Sequence, residues 1–321
     1  MLPNRVNESA PALVQRIHID TDPGLDDLLA LALALASPEV KLEAVTTVAG
    51  NARLEAVTAN ACGFLALVGV EIPVGRGARG PLSLTPTHAE QVHGPDGRRG
   101  IPLPTHNTVR PSPALSVFQY SLRERRVEQI IALGPLTNLA KLVSEQRSLL
   151  ENVEIVWMGG TLSEGNVTPV AEFNAYADPE ATASVLRSGL RIRVIGLDVT
   201  TQLRLRGRDL RDSPFGTTPT GRVLDQALRA LMETERPLHG EPCALLHDPA
   251  AVAAAIFPSW FRFERKVLEV RVEEGRDRGR MVEHDRGDGP SVEYAVEVRG
   301  PEVLQLCLTR LAAWSGKVDS D

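Results

Sequence analysis

Four aspartates stand within eight residues near the start of the chain, in the run Asp20-Thr-Asp22-Pro-Gly-Leu-Asp26-Asp27. The run follows a short apolar segment, Arg16-Ile-His-Ile19, that reads as a buried strand, and it precedes an apolar helix over 26–36. Pro23-Gly24 turns the chain between them and aims the carboxylates into one small space. Helix capping and the helix dipole explain one or two acids at a helix start, but not four. Two carboxylates about 4 Å apart repel by roughly 4 kcal/mol at an effective dielectric near 20. Such crowding is tolerated where protons are shared or a cation sits between the acids. Oxygen donors with no cysteine nearby point to calcium or magnesium rather than zinc.

Other polar residues fall at strand ends, where they can face the same crevice. Asn51 follows Thr46-Thr-Val-Ala-Gly50, although a simple turn also explains it. Leu133 precedes Gly134-Pro135, a bend that can leave its carbonyl free. Asn166 follows Met158-Gly-Gly160, and Glu172-Phe-Asn174 lies shortly after. Asp248 opens a helix ahead of Pro249; capping is the competing account of it, and His247 beside it adds a titratable imidazole.

The elements that must position these groups alternate along the chain. Strand-like segments at 41–48, 72–74, 128–133, 153–158 and 191–197 are interleaved with helical ones at 54–67, 138–143 and 178–187. The last of these has Asp178 as N-cap and Pro179 at its first position. This alternation predicts an α/β fold: an open, mostly parallel (mixed) sheet with helices on both faces and a Rossmann-like core, whose strand carboxyl ends bind ligands. Helices follow at 221–232, 248–257 and 302–314. The alternating runs 266–272 and 291–298 are expected to pair as a C-terminal antiparallel hairpin. Residues 1–16 read as a disordered tail, and 17–315 as one domain without repeat or linker.

Between 75 and 113 the chain is rich in Gly, Pro, His and Thr, and a loop of that length is functional or mobile. Its Gly75-Arg-Gly-Ala-Arg-Gly80 fits a dinucleotide string but runs into Pro81, not a helix, so that mechanism has no support. There is no Walker A loop and no G-x-S-x-G turn.

The 321 residues are 43% hydrophobic and 24% charged, which excludes wholesale disorder. No apolar run reaches the ~18 residues of a membrane span. The net charge is −6, and the arginine-rich stretches 204–211 and 276–286 carry acids among the bases, reading as solvated loops. A nucleic-acid partner is therefore not expected. Cys62, Cys243 and Cys307 are odd in number and widely spaced, which argues against a disulfide framework. With no hydrophobic signal core in the first 16 residues, the expected compartment is the cytoplasm.

Together these pieces resemble the nucleoside hydrolase family of the inosine–uridine-preferring type. The resemblance rests on Asp20–Asp27, Thr46-Thr-Val-Ala-Gly-Asn51, Met158-Gly-Gly160, Glu164-Gly-Asn166, Val170-Ala-Glu-Phe-Asn174, Asp178-Pro-Glu-Ala181 and His247-Asp-Pro249, in the family's order. It implies hydrolysis of the N-glycosidic bond of ribonucleosides to ribose and a free base, as in purine and pyrimidine salvage. It further implies one calcium ion (Ca2+) held by Asp22, Asp27, Asp248 and the carbonyl of Leu133, with the ribose hydroxyls completing its shell. Asp22 would double as general base toward a water on that ion, and Asp20 would stand behind the ligands. Asp26, Asn51, Met158, Asn166, Glu172 and Asn174 would grip the ribose. His93 would lie near the base, and His247 would be its proton donor. Relatives of this kind form homo-oligomers, dimers or tetramers.

The chemistry of the residues agrees. Breaking an N-glycosidic bond develops positive charge on the sugar, which carboxylates stabilise. Calcium acidifies water weakly, so an adjacent carboxylate base is needed. One stretch departs from purine-tolerant relatives, where tyrosines reach over the substrate: here 234–241 has none, and His239 is a candidate polar contact to the base, with a plain surface histidine as the stronger competing reading. Two other readings compete. A D-x-D phosphatase would use Asp20 and Asp22 but leaves Glu172, Asn174 and His247 unexplained, and a non-catalytic nucleoside binder would use the same site without turnover.

Overall fold

A computed structural model describes residues 14–83, 85–105, 110–207, 210, 214–284 and 289–318, excluding the side chains of 235, 237–239 and 318. Its strands are β1 (Gln15–Thr21), β2 (Val40–Thr47), β3 (Val74–Arg76), β4 (Ser112–Pro113), β5 (Gln129–Ala132), β6 (Glu154–Met158) and β7 (Arg191–Ile195). They continue as β8 (Arg204–Arg206), β9 (Cys243–Leu245), β10 (Phe261–Lys266), β11 (Leu268–Val270), β12 (Met281–Glu283) and β13 (Val292–Val298). The helices are α1 (Leu25–Leu35), α2 (Leu54–Leu67), α3 (Glu90–His93), α4 (Ala114–Arg123), α5 (Thr137–Gln146) and α6 (Phe173–Ala177). After them come α7 (Pro179–Leu186), α8 (Leu197–Thr200), α9 (Pro219–His239), α10 (His247–Ile256) and α11 (Gly300–Val318).

Nine strands make one sheet in the order β10-β13-β7-β6-β5-β1-β2-β3-β4, parallel throughout except where β10 meets β13. Alternate residues of each central strand feed two cores. Ile131, Leu133, Val156 and Met158 join α1, α2, α9, α10 and α11 on one face. Ile130, Ala132, Ile155 and Trp157 join α4, α5 and α7 on the other. Burial on both faces is why these strands are almost continuously apolar. Helix α1 is buried along its length because α9, α10 and α11 pack against it, which its sequence LDDLLALALAL permits.

From β1 the chain builds outward through β2, β3 and β4, then returns to the opposite side of β1 for β5, β6 and β7. The order therefore reverses between β1 and β5, where the loops leaving the two strands diverge and open a crevice at their carboxyl ends. In register, Asp20 lies beside Thr46 of β2 and Ala132 of β5.

Three details differ from the sequence reading. Strand β1 begins at Gln15, whose amide donates to Glu39 O at 2.9 Å, so residues 15 and 16 do not belong to a tail; residues 1–13 lie outside the described residues. The partner of β13 is β10, with Phe261 opposite Val298 and Lys266 opposite Val292, rather than the run 266–272. That run divides at Val267, and its second half, β11, forms its own ladder with β12. Alternation marks both segments as strands but does not encode which pairs with which. Residues 204–206 form β8, antiparallel to β9, instead of a solvated loop. No helix among the described residues is long and apolar enough to cross a membrane.

Candidate active site

The acidic run links β1 to α1 and is held by a mesh of short hydrogen bonds. Asp27, in the first turn of α1, accepts from the Gly24 amide at 2.8 Å, from the Thr21 hydroxyl, and from Asn51 Nδ2 at 3.0 Å. The other hydrogen of that amide group goes to the Asp22 carbonyl at 3.2 Å, while the Asn51 backbone N–H donates to Asp22 Oδ2 at 2.7 Å. Asn51 thus fastens Asp22 and Asp27 together from the end of β2. The second carboxylate oxygen of Asp22, Oδ1, is buried and has no hydrogen-bond partner among the described residues. Two glycines crowd this carboxylate. A Cβ on Gly50 would lie 2.1 Å from Oδ2, and one on Gly134 would lie 2.5 Å from Oδ1.

Asp248, at the start of α10, closes the cluster. Oxygens of Asp26, Asp27 and Asp248 lie within 4.8 Å of one another, all buried. Burial pushes Asp22 and Asp248 well above the usual carboxylate range; the negative charge of Asp27 adds to this for Asp22, and that of Asp26, Asp27 and Asp22 for Asp248. A buried set of oxygens repelling one another, beside an unpartnered Asp22 oxygen, suits a hard divalent cation. Asp26, expected at the sugar, is the third member of the tight cluster, with Asp22 bordering it. The Leu133 carbonyl accepts from Asn174 Nδ2 at 2.8 Å, which leaves its second lone pair.

Asp26 and Asp248 line a cleft open to solvent; Asp22 and Asp27 are not among its lining residues. Asp26, Asn51, His93, Leu133, Met158, Asn166, Glu172, Asn174, His247 and Asp248 all line it, so most of the expected site residues converge. Glu172 caps α6, accepting from the amides of Gly160 (2.7 Å), Asn174 (2.8 Å) and Ala175 (3.1 Å), and burial raises its pKa. Asn174 Nδ2 also donates to Met158 O at 3.0 Å, tying the ends of β5 and β6. Asn166 Oδ1 accepts from the Phe173 amide at 2.9 Å.

Both imidazoles in the cleft are held through Nδ1. His93 accepts there from the Leu25 amide at 3.1 Å, and His247 Nδ1 pairs with Thr200 Oγ1 at 2.8 Å. Burial lowers His93 to about 3, helped by Arg99 and His247, and lowers His247 to about 4. Both rings are therefore neutral near pH 7. The side chain of His239 lies outside the described residues.

Asp20 does not line the cleft. Its Oδ1 accepts from Thr46 Oγ1 at 2.5 Å and Asn138 Nδ2 at 2.8 Å, and burial raises its pKa to about 7. Thr46 in turn meets His18 Nε2 at 2.9 Å, and His18 Nδ1 meets Ser121 Oγ at 2.7 Å. The sequence reading missed this buried polar chain, although a histidine inside the apolar run Ile17-His18-Ile19 was its signal. It also missed Asn138, Thr200 and the cleft residue Leu231, for which no local pattern exists, and Thr21, Val92 and Leu245, which stand beside or close to residues it named.

The family profile described as inosine-uridine preferring nucleoside hydrolase matches residues 17–305. Curated relatives include a non-specific ribonucleoside hydrolase, RihC, of Escherichia fergusonii, 40% identical over 76% of this chain and 80% of its own. Another is a pyrimidine-specific ribonucleoside hydrolase, RihA, of Photobacterium profundum, 41% identical over 76% of this chain and 81% of its own. Among solved structures, a plant nucleoside hydrolase superposes with a TM-score of 0.86 at 34% identity, covering 94% of this chain and 99% of that one. A purine-preferring ribonucleoside hydrolase from Gardnerella vaginalis superposes with a TM-score of 0.87 at 27% identity, covering the same shares.

Proposed function

The chain belongs to the inosine-uridine preferring nucleoside hydrolase family and is an N-ribosyl hydrolase of nucleosides; from that premise we propose how its own residues carry out the cleavage. Asp22 is the general base: its unpartnered Oδ1 accepts a proton from the water that attacks C1′ of the ribose. Asp26, Asn51, Asn166, Glu172, Asn174 and Met158 surround the sugar and fix its orientation. The carboxylates among them face the positive charge that develops as the C1′–N bond breaks. His93 and His247 stand at the base end of the cleft, with His239 as a further contact.

Asp22, Asp27, Asp248 and the Leu133 carbonyl would hold a divalent cation, for which calcium fits the oxygen donors, with Asp26 close enough to share in it. When bound, the ion neutralises the crowded carboxylates and anchors the vicinal sugar hydroxyls. Three buried free thiols, Cys62, Cys243 and Cys307, support a reducing, cytoplasmic setting.

The observation that carries this reading is the meeting of Asp26, Asp27 and Asp248, two of which line the cleft, near the buried, unpartnered oxygen of Asp22. Its test is ribose release from a panel of purine and pyrimidine nucleosides after chelation, with and without added calcium. Turnover that returns with calcium supports it; full turnover in chelator removes the ion from the account. Both base classes belong in the panel, since the relatives include non-specific, pyrimidine-specific and purine-preferring enzymes.

A further inference from the structure

Thr200 ends α8 and is fully buried, with its hydroxyl 2.8 Å from Nδ1 of His247. Among the described residues that hydroxyl has no other hydrogen-bond partner. A buried hydroxyl proton without an acceptor is unfavourable, so it points at the one lone pair within reach, that of Nδ1. If Nδ1 accepts, the ring proton sits on Nε2. That nitrogen has no partner among the described residues, and the ring lines the cleft with Leu231 and Leu245.

We propose that Thr200 is a positioning residue for departure of the base: its hydroxyl fixes His247 as an Nε2–H donor toward a ring nitrogen or carbonyl oxygen of the leaving base. The inference rests on the nucleoside hydrolase mechanism above. His93 offers a parallel set by backbone. The Leu25 amide can only donate, so Nδ1 of His93 accepts and its proton also lies on Nε2. The cleft thereby favours bases with acceptor edges.

The donor stabilises negative charge gathering on the base as the C1′–N electron pair leaves with it. Water supplies the hydroxyl at C1′, and its released proton, taken at Asp22, balances the one the departed base acquires from solvent. A leaving group stable as an anion gains little from such a donor.

The experiment compares Thr200→Val and Thr200→Ser with wild type on inosine, uridine and 4-nitrophenyl riboside, whose phenolate leaves without help. The Val variant is expected to lose at least about tenfold in kcat on the nucleosides, with KM within about threefold, and far less on the aryl riboside. The Ser variant is expected to recover most of the nucleoside turnover. Equal losses on both substrate types, failure of Ser to rescue, or no loss at all overturns the proposal. Imidazole nitrogen NMR of folded wild type checks it independently of any variant's folding: a proton on Nε2 of His247 supports it, and one on Nδ1 overturns it. Absence of ribose release by wild type sinks the mechanism itself, and the tautomer measurement then stands apart from that failure.

Discussion

Asp248, in the first turn of α10, sets a carboxylate oxygen within 4.8 Å of one on Asp27, in the first turn of α1. Two buried carboxyl groups this close repel when both are ionised, which favours proton uptake. Without a cation, the site therefore binds protons that a cation would displace.

That exchange has a pH sign. Asp20, raised to about 7, and Asp22 and Asp248, also raised by burial, have folded values above their unfolded ones near 4. Their contribution to stability is fully present below about pH 4 and is lost as pH rises through the folded values. Added calcium is thus expected to raise Tm more at pH 8 than at pH 5. A calorimetric scan giving an equal or larger shift at pH 5 would count against the cluster as a cation site.

Asp22→Ala removes the unpartnered oxygen assigned to the water. Ribose release is expected to fall by about a thousandfold, in the range typical of lost general-base catalysis, while the protein stays folded. A variant retaining near-normal turnover would remove Asp22 from that role.

Gly134→Ala tests the close approach around the same carboxylate. The new Cβ would stand 2.5 Å from Asp22 Oδ1, so the carboxylate or the end of β5 must shift. The expected outcome is at least about a tenfold loss of kcat with a stability loss of about 1–3 kcal/mol. Unchanged kcat in steady-state assays would mean that the position of Oδ1 does not govern the reaction.

Removing the ribose 2′-hydroxyl tests the sugar end. A 2′-deoxyribonucleoside lacks one of the two hydroxyls that a cation would anchor, and the polar groups lining that end are left unpaired. Its kcat/KM is expected to be at least about a hundredfold below that of the matching ribonucleoside. Equal rates would exclude recognition of the sugar diol.

His18 gives a pH effect of opposite sign. Enclosed by Ser121 and Thr46 and stacked on Phe118, it is lowered by burial to about 3, against 6.5 unfolded. With the folded value depressed, its stabilising effect is full above about pH 6.5 and is lost as pH falls toward 3, by on the order of 4 kcal/mol. Urea midpoints of wild type and His18→Gln between pH 4 and 7 should differ most at the upper end. A constant difference would mean that the ring is not held neutral.

The strand and helix alternation, the Asp178 cap and the acidic turn after β1 were all legible in the sequence, because each is a local pattern with a local cause. Asp178 accepts from the Ala181 amide at 3.0 Å as its position before Pro179 requires. The family motifs went further, naming groups from distant segments that do line one cleft. Tertiary structure alone decided the rest. It set β10 rather than the run 266–272 against β13, since alternation carries no partner information. It brought Asp26 as well as Asp27 into the tight carboxylate cluster, because the packing of α1 against α10 sets both beside Asp248. It put the Thr200 hydroxyl on His247 and Leu231 in the same cleft, residues whose sequence neighbours give no hint of a site. Types and spacings along a chain determine which chemistry is available; which atoms meet depends on packing between elements far apart in sequence, and that is a property of the folded whole.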